Sequence, residues 1–469
     1  MSTSTADAAA AQGKTWTLKP GEEFRFEVSF KHKIRVKLLS GHAEYFGAEL
    51  GPTTEYTFTG ENGAIFSWQG CQLSVSGDCQ SAYVADETPM DSYINVHMAL
   101  QQLRVQAHHE VSENGGSSKA APRVMIVGPE DSGKTSLAKL LLNYAVRQGE
   151  APLYVDLDPQ DASVTVPGTI SATPVTHTVD AEAGFMGYAV ASSNAPPATP
   201  IVWQYGHENP ADNPTLFSLL VDRLAESLRK RMGADRFAAA SGLVADTRGW
   251  SADAGKYYEI IENAIKKLDI NVLLVVGSER MYSVLANKSQ DGVTVVKLAR
   301  SGGVVDREPA FRRQCNSRII RQYFYGTTAE PFSSFSAIAS FQEIGILRIG
   351  EDVKAPSSTL PLGETRKLTD TSVFAVNPDE SLAHSILAVT DAPLSVVSDL
   401  NGAGTGSADK STNGADSQSA DSVVGMQAIG FVNVTQVDMT KKRLTLLSPV
   451  PGRLPKQVLV YGQIKWMET

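Results

Sequence analysis

Apolar and polar residues alternate along the first part of the chain, from about Lys14 to Ala85. The runs are Phe24-Arg-Phe-Glu-Val28, Ile34-Arg-Val-Lys-Leu38, Tyr56-Thr-Phe-Thr59 and Ile65-Phe-Ser-Trp68. Such alternation puts apolar side chains on one face of a strand, and Gly and Pro separate the runs, so they predict a small antiparallel β-sandwich. The pattern then turns helical. Ile94, Met98 and Leu103 fit one face of a helix predicted from Met90 to about Ala107, behind an N-cap-like Thr88-Pro89. Ser112 to Lys119 (SENGGSSK) predicts a flexible linker.

From about Ala121 to Ser340 strand-like and helix-like segments alternate. Strands are predicted at Arg123–Val127, Leu153–Asp156, Ser241–Ala245, Asn271–Val276 and Val293–Lys297. Helices are predicted between them, notably Lys134–Arg147, Leu216–Arg231 and Lys256–Leu268. Apolar strands alternating with helices predict an α/β domain with a parallel sheet. From Ile344 to Thr469 the period-two pattern returns, as in Phe374-Ala-Val376, Ile386-Leu-Ala-Val389 and Phe431-Val-Asn-Val434, predicting a mainly β domain. Asp399 to Ser422 carries no aromatic residue and is rich in Gly, Ser, Asn and Asp, which predicts a disordered loop. The expected division is a tail over 1–13, sandwich and helix over 14–108, linker over 109–120, α/β domain over 121–340 and β domain over 341–469.

Composition agrees with three globular domains: 469 residues, 42% hydrophobic and 20% charged. Lys and Arg total 42 against 51 Asp and Glu, so the net charge is −9. That argues against coating of nucleic acid by global charge and leaves room for a local basic site. Three cysteines cannot build a disulfide framework, which points to a reducing compartment. Cys71 and Cys79 flank a hairpin predicted at Gln72–Asp78 and read as structural thiols. No run approaches the length of a membrane span, and Met1 to Gly13 lacks the apolar core of a secretory signal. The expectation is therefore a soluble intracellular protein without a membrane partner.

The chemistry is concentrated in the α/β block. Gly128-Pro-Glu-Asp131-Ser132-Gly133-Lys134-Thr135 matches the phosphate-loop pattern, and it follows an apolar strand and opens a helix, as the pattern requires. Backbone N–H groups and the helix N-terminus would cradle phosphates, Lys134 would reach the β and γ phosphates, and Thr135 would hold Mg²⁺. The nucleotide-binding candidates are Gly128, Asp131, Ser132, Gly133, Lys134, Thr135 and Ser136. Asp156 and Asp158 end the next strand, where a carboxylate can bind Mg²⁺ or take the proton of an attacking hydroxyl. Arg300 to Arg321 holds six arginines against two acids and starts with the Gly302-Gly303 pair. It reads as a cationic lid, over 300–326, for a transferring phosphoryl group. Trp250, just past Asp246-Thr-Arg-Gly249, is a candidate for stacking on a base.

These features together resemble a known family over nearly the whole chain. The segments are Gly41-His-Ala-Glu-Tyr-Phe-Gly-Ala-Glu-Leu50, Asp86-Glu-Thr-Pro-Met90, Gly128 to Ser136, Val166-Pro-Gly-Thr169, Asp246-Thr-Arg-Gly-Trp250, Ser301-Gly-Gly-Val-Val305, Tyr323-Phe-Tyr-Gly326 and Leu447-Ser-Pro-Val-Pro-Gly452. They resemble the polynucleotide 5′-hydroxyl kinase family, in particular the kinase-like subunit of the pre-mRNA 3′-end cleavage factor in its fungal form. The resemblance implies an N-terminal β-sandwich, a central kinase domain, a C-terminal mainly β domain, and ATP held partly by the sandwich. It places an adenine contact at Glu23 and a second near Asn62, where Lys is common in the family. It gives Asp158 a role toward RNA hydroxyl or metal, Arg307 and Arg312 the lid role, and Trp250 the role of a clasp. It further implies a nuclear protein that binds ATP and Mg²⁺, a scaffold subunit that contacts RNA polymerase II, other cleavage and polyadenylation subunits, and RNA. Two activities fit the resemblance: a nucleotide-dependent scaffold and an active RNA 5′-hydroxyl kinase. An unrelated P-loop NTPase switch is the remaining alternative.

Overall fold

The computed structural model describes residues 13–114, 120–185, 199–249, 255–288, 292–327, 330–350, 371–394, 424–452 and 457–468. The expected tail before Gly13, Trp250 and the expected loop from Asp399 to Ser422 lie outside them.

The N-terminal domain is a sandwich of two antiparallel sheets. One is ordered Lys14–Leu18, Cys71–Gly77, Ile34–Gly41, Glu55–Phe58; the other Ala48–Glu49, Glu44–Tyr45, Glu61–Phe66, Glu23–Val28, Ser81–Ala85. Alternation places Ile34, Val36 and Leu38 inside and Arg35 and Lys37 outside. The inner residues meet Phe24, Phe26 and Ile65 of the facing sheet in one core. Cys71–Gly77 is a single strand, not the predicted hairpin: its inward Leu73 and Val75 are needed to fill that core.

The helix after the sandwich runs from Met90 to Asn114, past its expected end near Ala107 and into the expected linker. The extra turns are held from the central domain. His108 Nε2 lies 2.8 Å from Glu150, and Val111 is buried with Ala121 and Ala240. Arg104 is buried and donates to the Ser241 carbonyl at 3.0 Å, while Tyr93 donates to the Ala299 carbonyl at 3.0 Å. The helix thus packs as part of the central domain.

The central sheet is ordered Ile201–Gln204, Thr169–Pro174, Leu153–Leu157, Leu243–Thr247, Arg123–Val127, Val272–Val276, Thr294–Leu298. The last five strands are parallel, and the first two add an antiparallel edge that the sequence pattern does not predict. Thr169–Pro174 (TISATP) hides its strand character behind Ser and Thr, whose hydroxyls are buried all the same.

The C-terminal sheet is ordered Phe335–Ser340, Arg443–Ser448, Ala428–Asp438, Ser385–Pro393, Gln457–Lys465, Gly345–Ile349, Val373–Ala375. Phe335–Ser340 pairs with Arg443–Ser448, so the β domain begins before the expected boundary at 341. One face of this sheet, with Ile386, Phe431 and Val460, joins the central core, and the other face, with Leu387, Val432 and Leu459, packs a core of its own. Trp466 stacks on Phe324 at 5.8 Å, and its indole donates to Ser317 at 3.0 Å, both on the helix Pro309–Tyr325.

His97 is buried beside Tyr144, and burial together with the charges of Arg104 and Arg147 lowers its pKa from 6.5 to about 4. The unfolded chain therefore binds a proton that the fold rejects, and stability falls as pH drops from about 6.5 toward 4. Between pH 7 and pH 5 this costs about 2 kcal/mol. Chemical denaturation of His97→Asn at both pH values should show a loss smaller than wild type by about that amount. An equal loss would assign acid sensitivity to other groups.

Candidate nucleotide site

The strand Arg123–Val127 delivers the chain into the phosphate loop, and the helix Lys134–Arg147 carries it away. Lys134 Nζ and Ser132 Oγ both donate to the Pro129 carbonyl, at 2.8 and 2.9 Å. Burial lowers the Lys134 pKa, opposed by the charges of Asp246 and Asp158. Thr135 Oγ1 donates to Asp246 Oδ2 at 2.5 Å. Asp246 lies in the strand Leu243–Thr247, and its Oδ1 is buried without a hydrogen-bond partner among the described residues. It was absent from the sequence candidates. The available signal was an apolar strand ending in an acid. Gly249 then crosses the phosphate loop so closely that a Cβ would lie 2.4 Å from Glu130 Cα. Only glycine fits there.

Asp156 and Asp158 separate in the fold. Asp156 is buried and accepts from Ser163 N and Oγ and from Asp158 N, at 2.7, 2.8 and 3.0 Å, which makes it a support for the loop. Asp158 lies just past the strand and lines the cavity beside Lys134. Burial, with the charges of Asp161 and Asp246, pushes its pKa up to about 6.

Arg307 and Arg312 reach the same place from the segment before and at the start of the helix Pro309–Tyr325. Each contacts Asp131 and Asp161. Arg307 donates from Nε to Asp131 at 2.8 Å and from Nη2 to Asp161 at 2.7 Å; Arg312 donates to Asp161 at 2.8 Å and to Asp131 at 2.5 Å. Burial opposes the Arg307 charge, but the two carboxylates outweigh it and raise its pKa. Burial likewise opposes the Asp131 charge, and its bonds to Arg307 with the Arg312 charge hold its pKa below the usual range. Gly302 and Gly303 lie against the Arg25 side chain, where a Cβ on Gly303 would come within 2.8 Å of Arg25 Cδ.

The sandwich closes the remaining side. Glu23, Glu61, Asn62 and Phe66 line one cavity of about 320 Å³ with the phosphate loop, Asp158, Arg248, Val304, Arg307 and Arg312. Glu23 is buried; its carboxylate accepts from Arg25 and, at 3.1 Å, from Thr88. Lys139, one turn beyond the phosphate loop, also lines the cavity, and burial lowers its pKa. Lys139, Glu61 and Asp161 went unpredicted because they become site residues only through contacts between distant segments.

Sequence models of three domains match this chain: the P-loop of mRNA cleavage and polyadenylation factor CLP1 over 128–326, the N-terminal β-sandwich of polyadenylation factor over 17–107, and pre-mRNA cleavage complex II protein Clp1 over 332–468. The chain is 36% identical to an mRNA cleavage and polyadenylation factor clp1 of Botryotinia fuckeliana, covering 99% of this chain and 95% of that protein. It is 37% identical to a CLP1 homolog of Arabidopsis thaliana over 98% and 96% of the two chains. A solved structure of the wild-type Clp1p–Pcf11p complex superposes with a TM-score of 0.79 at 25% identity, covering 98% of this chain and 100% of that one. The chain belongs to the Clp1 family. It is a cleavage and polyadenylation factor subunit with a P-loop nucleotide-binding domain.

The Gly41–Leu50 segment that suggested this family docks on the helix of the phosphate loop. Asn143 donates to the Phe46 carbonyl at 2.8 Å, Arg147 to Glu44 at 2.9 Å, and the Tyr144 hydroxyl to Glu44. Gly47, at φ +82°, passes within 3.1 Å of Leu140 O as measured from an added Cβ. Burial raises the Glu44 pKa, countered by Tyr144 and Arg147.

Gly249→Ala should displace Glu130 and weaken nucleotide binding at least about tenfold, a change of roughly 1.4 kcal/mol. Titration calorimetry checks it. Unchanged affinity would show that the loop tolerates the shift.

Proposed function

We propose that this subunit holds ATP and Mg²⁺ between its domains and uses the nucleotide to fix the arrangement that a scaffold partner in the nuclear cleavage factor recognises. The observation that carries this reading is the single cavity whose walls come from the sandwich, the phosphate loop and the lid segment. A ligand spanning those walls binds the assembled arrangement better than any open one and so stabilises it. A solved relative is described as a Clp1p–Pcf11p complex, and another as explaining ATP loss in a glycine-to-arginine mutant, which supports linking nucleotide to partner. The scaffold would in turn contact RNA polymerase II, other cleavage and polyadenylation subunits, and RNA.

The residues fit a magnesium ion. The Thr135 hydroxyl donates to Asp246, whose second oxygen is buried without a hydrogen-bond partner among the described residues, and Thr135 and Asp158 both line the cavity. These oxygen donors suit a hard cation that keeps several waters. When bound, the ion would neutralise charge on the β and γ phosphates.

Lys134→Ala should lower ATP affinity by roughly 100-fold, about 2.7 kcal/mol, and weaken capture of the scaffold subunit in parallel. Calorimetry with ATP and co-purification of the scaffold subunit check both. Full partner binding by a variant that has lost ATP would contradict the nucleotide-dependent scaffold.

A second reading is an ATP-dependent RNA 5′-hydroxyl kinase, favoured by Lys134, Asp158, Arg307 and Arg312 meeting in that cavity. Asp158 would orient the hydroxyl and accept its proton as the oxygen bonds to the γ phosphorus and the bond to the β-phosphate oxygen breaks. Its pKa of about 6 predicts transfer that rises with pH through that value, because only the carboxylate can accept the proton. Transfer of labelled phosphate from ATP to a 5′-hydroxyl RNA should follow that profile and vanish in Asp158→Asn. Transfer by the variant, or a profile flat across pH 6, would remove Asp158 from the role.

A further inference from the structure

The lid arginines are not free cations. Arg307, Asp131, Arg312 and Asp161 form a closed ring of alternating charges, with every adjacent pair at 2.5–2.8 Å. The side chains of Asp131, Asp161 and Arg312 are 7%, 17% and 12% exposed. The ring carries no net charge. One edge of each guanidinium, Nε and Nη2 of Arg307 and both terminal nitrogens of Arg312, is spent on carboxylates. Such an edge is what grips a phosphate bidentately.

The two acids differ in origin. Asp131 belongs to the phosphate loop and also accepts from the Arg307 backbone N–H at 2.9 Å. Asp161 comes from the loop after Asp158, to which its own N–H donates at 3.3 Å. Both guanidinium groups converge on Asp161 Oδ2, while its Oδ1 is buried without a hydrogen-bond partner among the described residues. One carboxylate oxygen thus serves two guanidinium groups, and removing the charge of one partner from such a partly buried cluster leaves the others uncompensated.

We propose that Asp161 is a latch: it holds Arg307 and Arg312 closed over the phosphate loop and withholds them from the phosphates of a bound nucleotide. The latch closes the lid by itself, without nucleotide. With nucleotide present, the lid retains the ligand while its arginines stay neutralised, so retention outlasts transfer. The second half of this inference rests on the nucleotide reading; the first does not.

Hydrogen exchange on the full chain tests it, with Asp161→Asn against wild type, each with and without Mg²⁺ and ATP. Without nucleotide, Asp161→Asn should raise exchange at Arg307 and through the first turns of the lid helix at least about tenfold, while the core strands Arg123–Val127 and Val272–Val276 exchange as in wild type. Asp161→Glu, which keeps the charge, should retain most of the protection. Added ATP should restore protection in Asp161→Asn, since phosphates can replace the missing carboxylate. Equal lid exchange in wild type and Asp161→Asn overturns the latch, as does a rise shared by the core strands. A rise confined to the lid that ATP does not reverse keeps the latch and overturns the nucleotide reading.

Discussion

One helix carries two obligations. The N-terminus of Lys134–Arg147 faces the phosphate site, and its last turns hold the β-sandwich through Asn143, Tyr144 and Arg147. Glu44 is the sandwich's buried reply to that helix. A buried carboxylate is costly unless fully paired, and Tyr144 and Arg147 pair it. Loss of either partner would leave a charge at the interface and loosen the sandwich over the site. The docking that pairs Glu44 also brings Glu61, Asn62 and Phe66 to the cavity wall.

From that fixed wall, closure proceeds on the other side through charge. The lid segment crosses the phosphate loop, anchors on Asp131 and Asp161, and continues as a helix that reaches back to the sandwich, where Arg318 donates to the Thr59 carbonyl at 2.6 Å and lies over Phe30. Its far end is stacked under Trp466 of the C-terminal domain. Each domain therefore contacts the lid helix. That arrangement suits a protein whose nucleotide reports assembly to a partner, and it also brings Lys134, Asp158, Arg307 and Arg312 to one cavity. The two proposed activities share one architecture and differ in whether the lid arginines are released.

Much of this was legible in the sequence where local chemistry decides local structure. The phosphate loop is a backbone geometry written in glycines and followed by an apolar helix, so its position was readable from a dozen residues. The buried parallel strands were readable because they are almost purely aliphatic. Thr169–Pro174 was not, since its buried hydroxyls look like a loop, and the helix beyond Ala107 was not, since Glu150 and Ala240 hold it from elsewhere. The site divides in the same way. Lys134 and Thr135 belong to a motif. Asp161 meets Arg307 and Arg312 across 146 and 151 residues, and no pattern along the chain announces that pairing.

The measurement that tests the central claim most directly is the nucleotide content of the purified full-length chain, released by acid precipitation and identified by chromatography. A cavity closed by the sandwich, the phosphate loop and a neutralised lid predicts close to stoichiometric ATP with its γ-phosphate intact. Fully folded protein that carries no nucleotide and binds none when ATP and Mg²⁺ are added, or one that carries ADP alone, would contradict it.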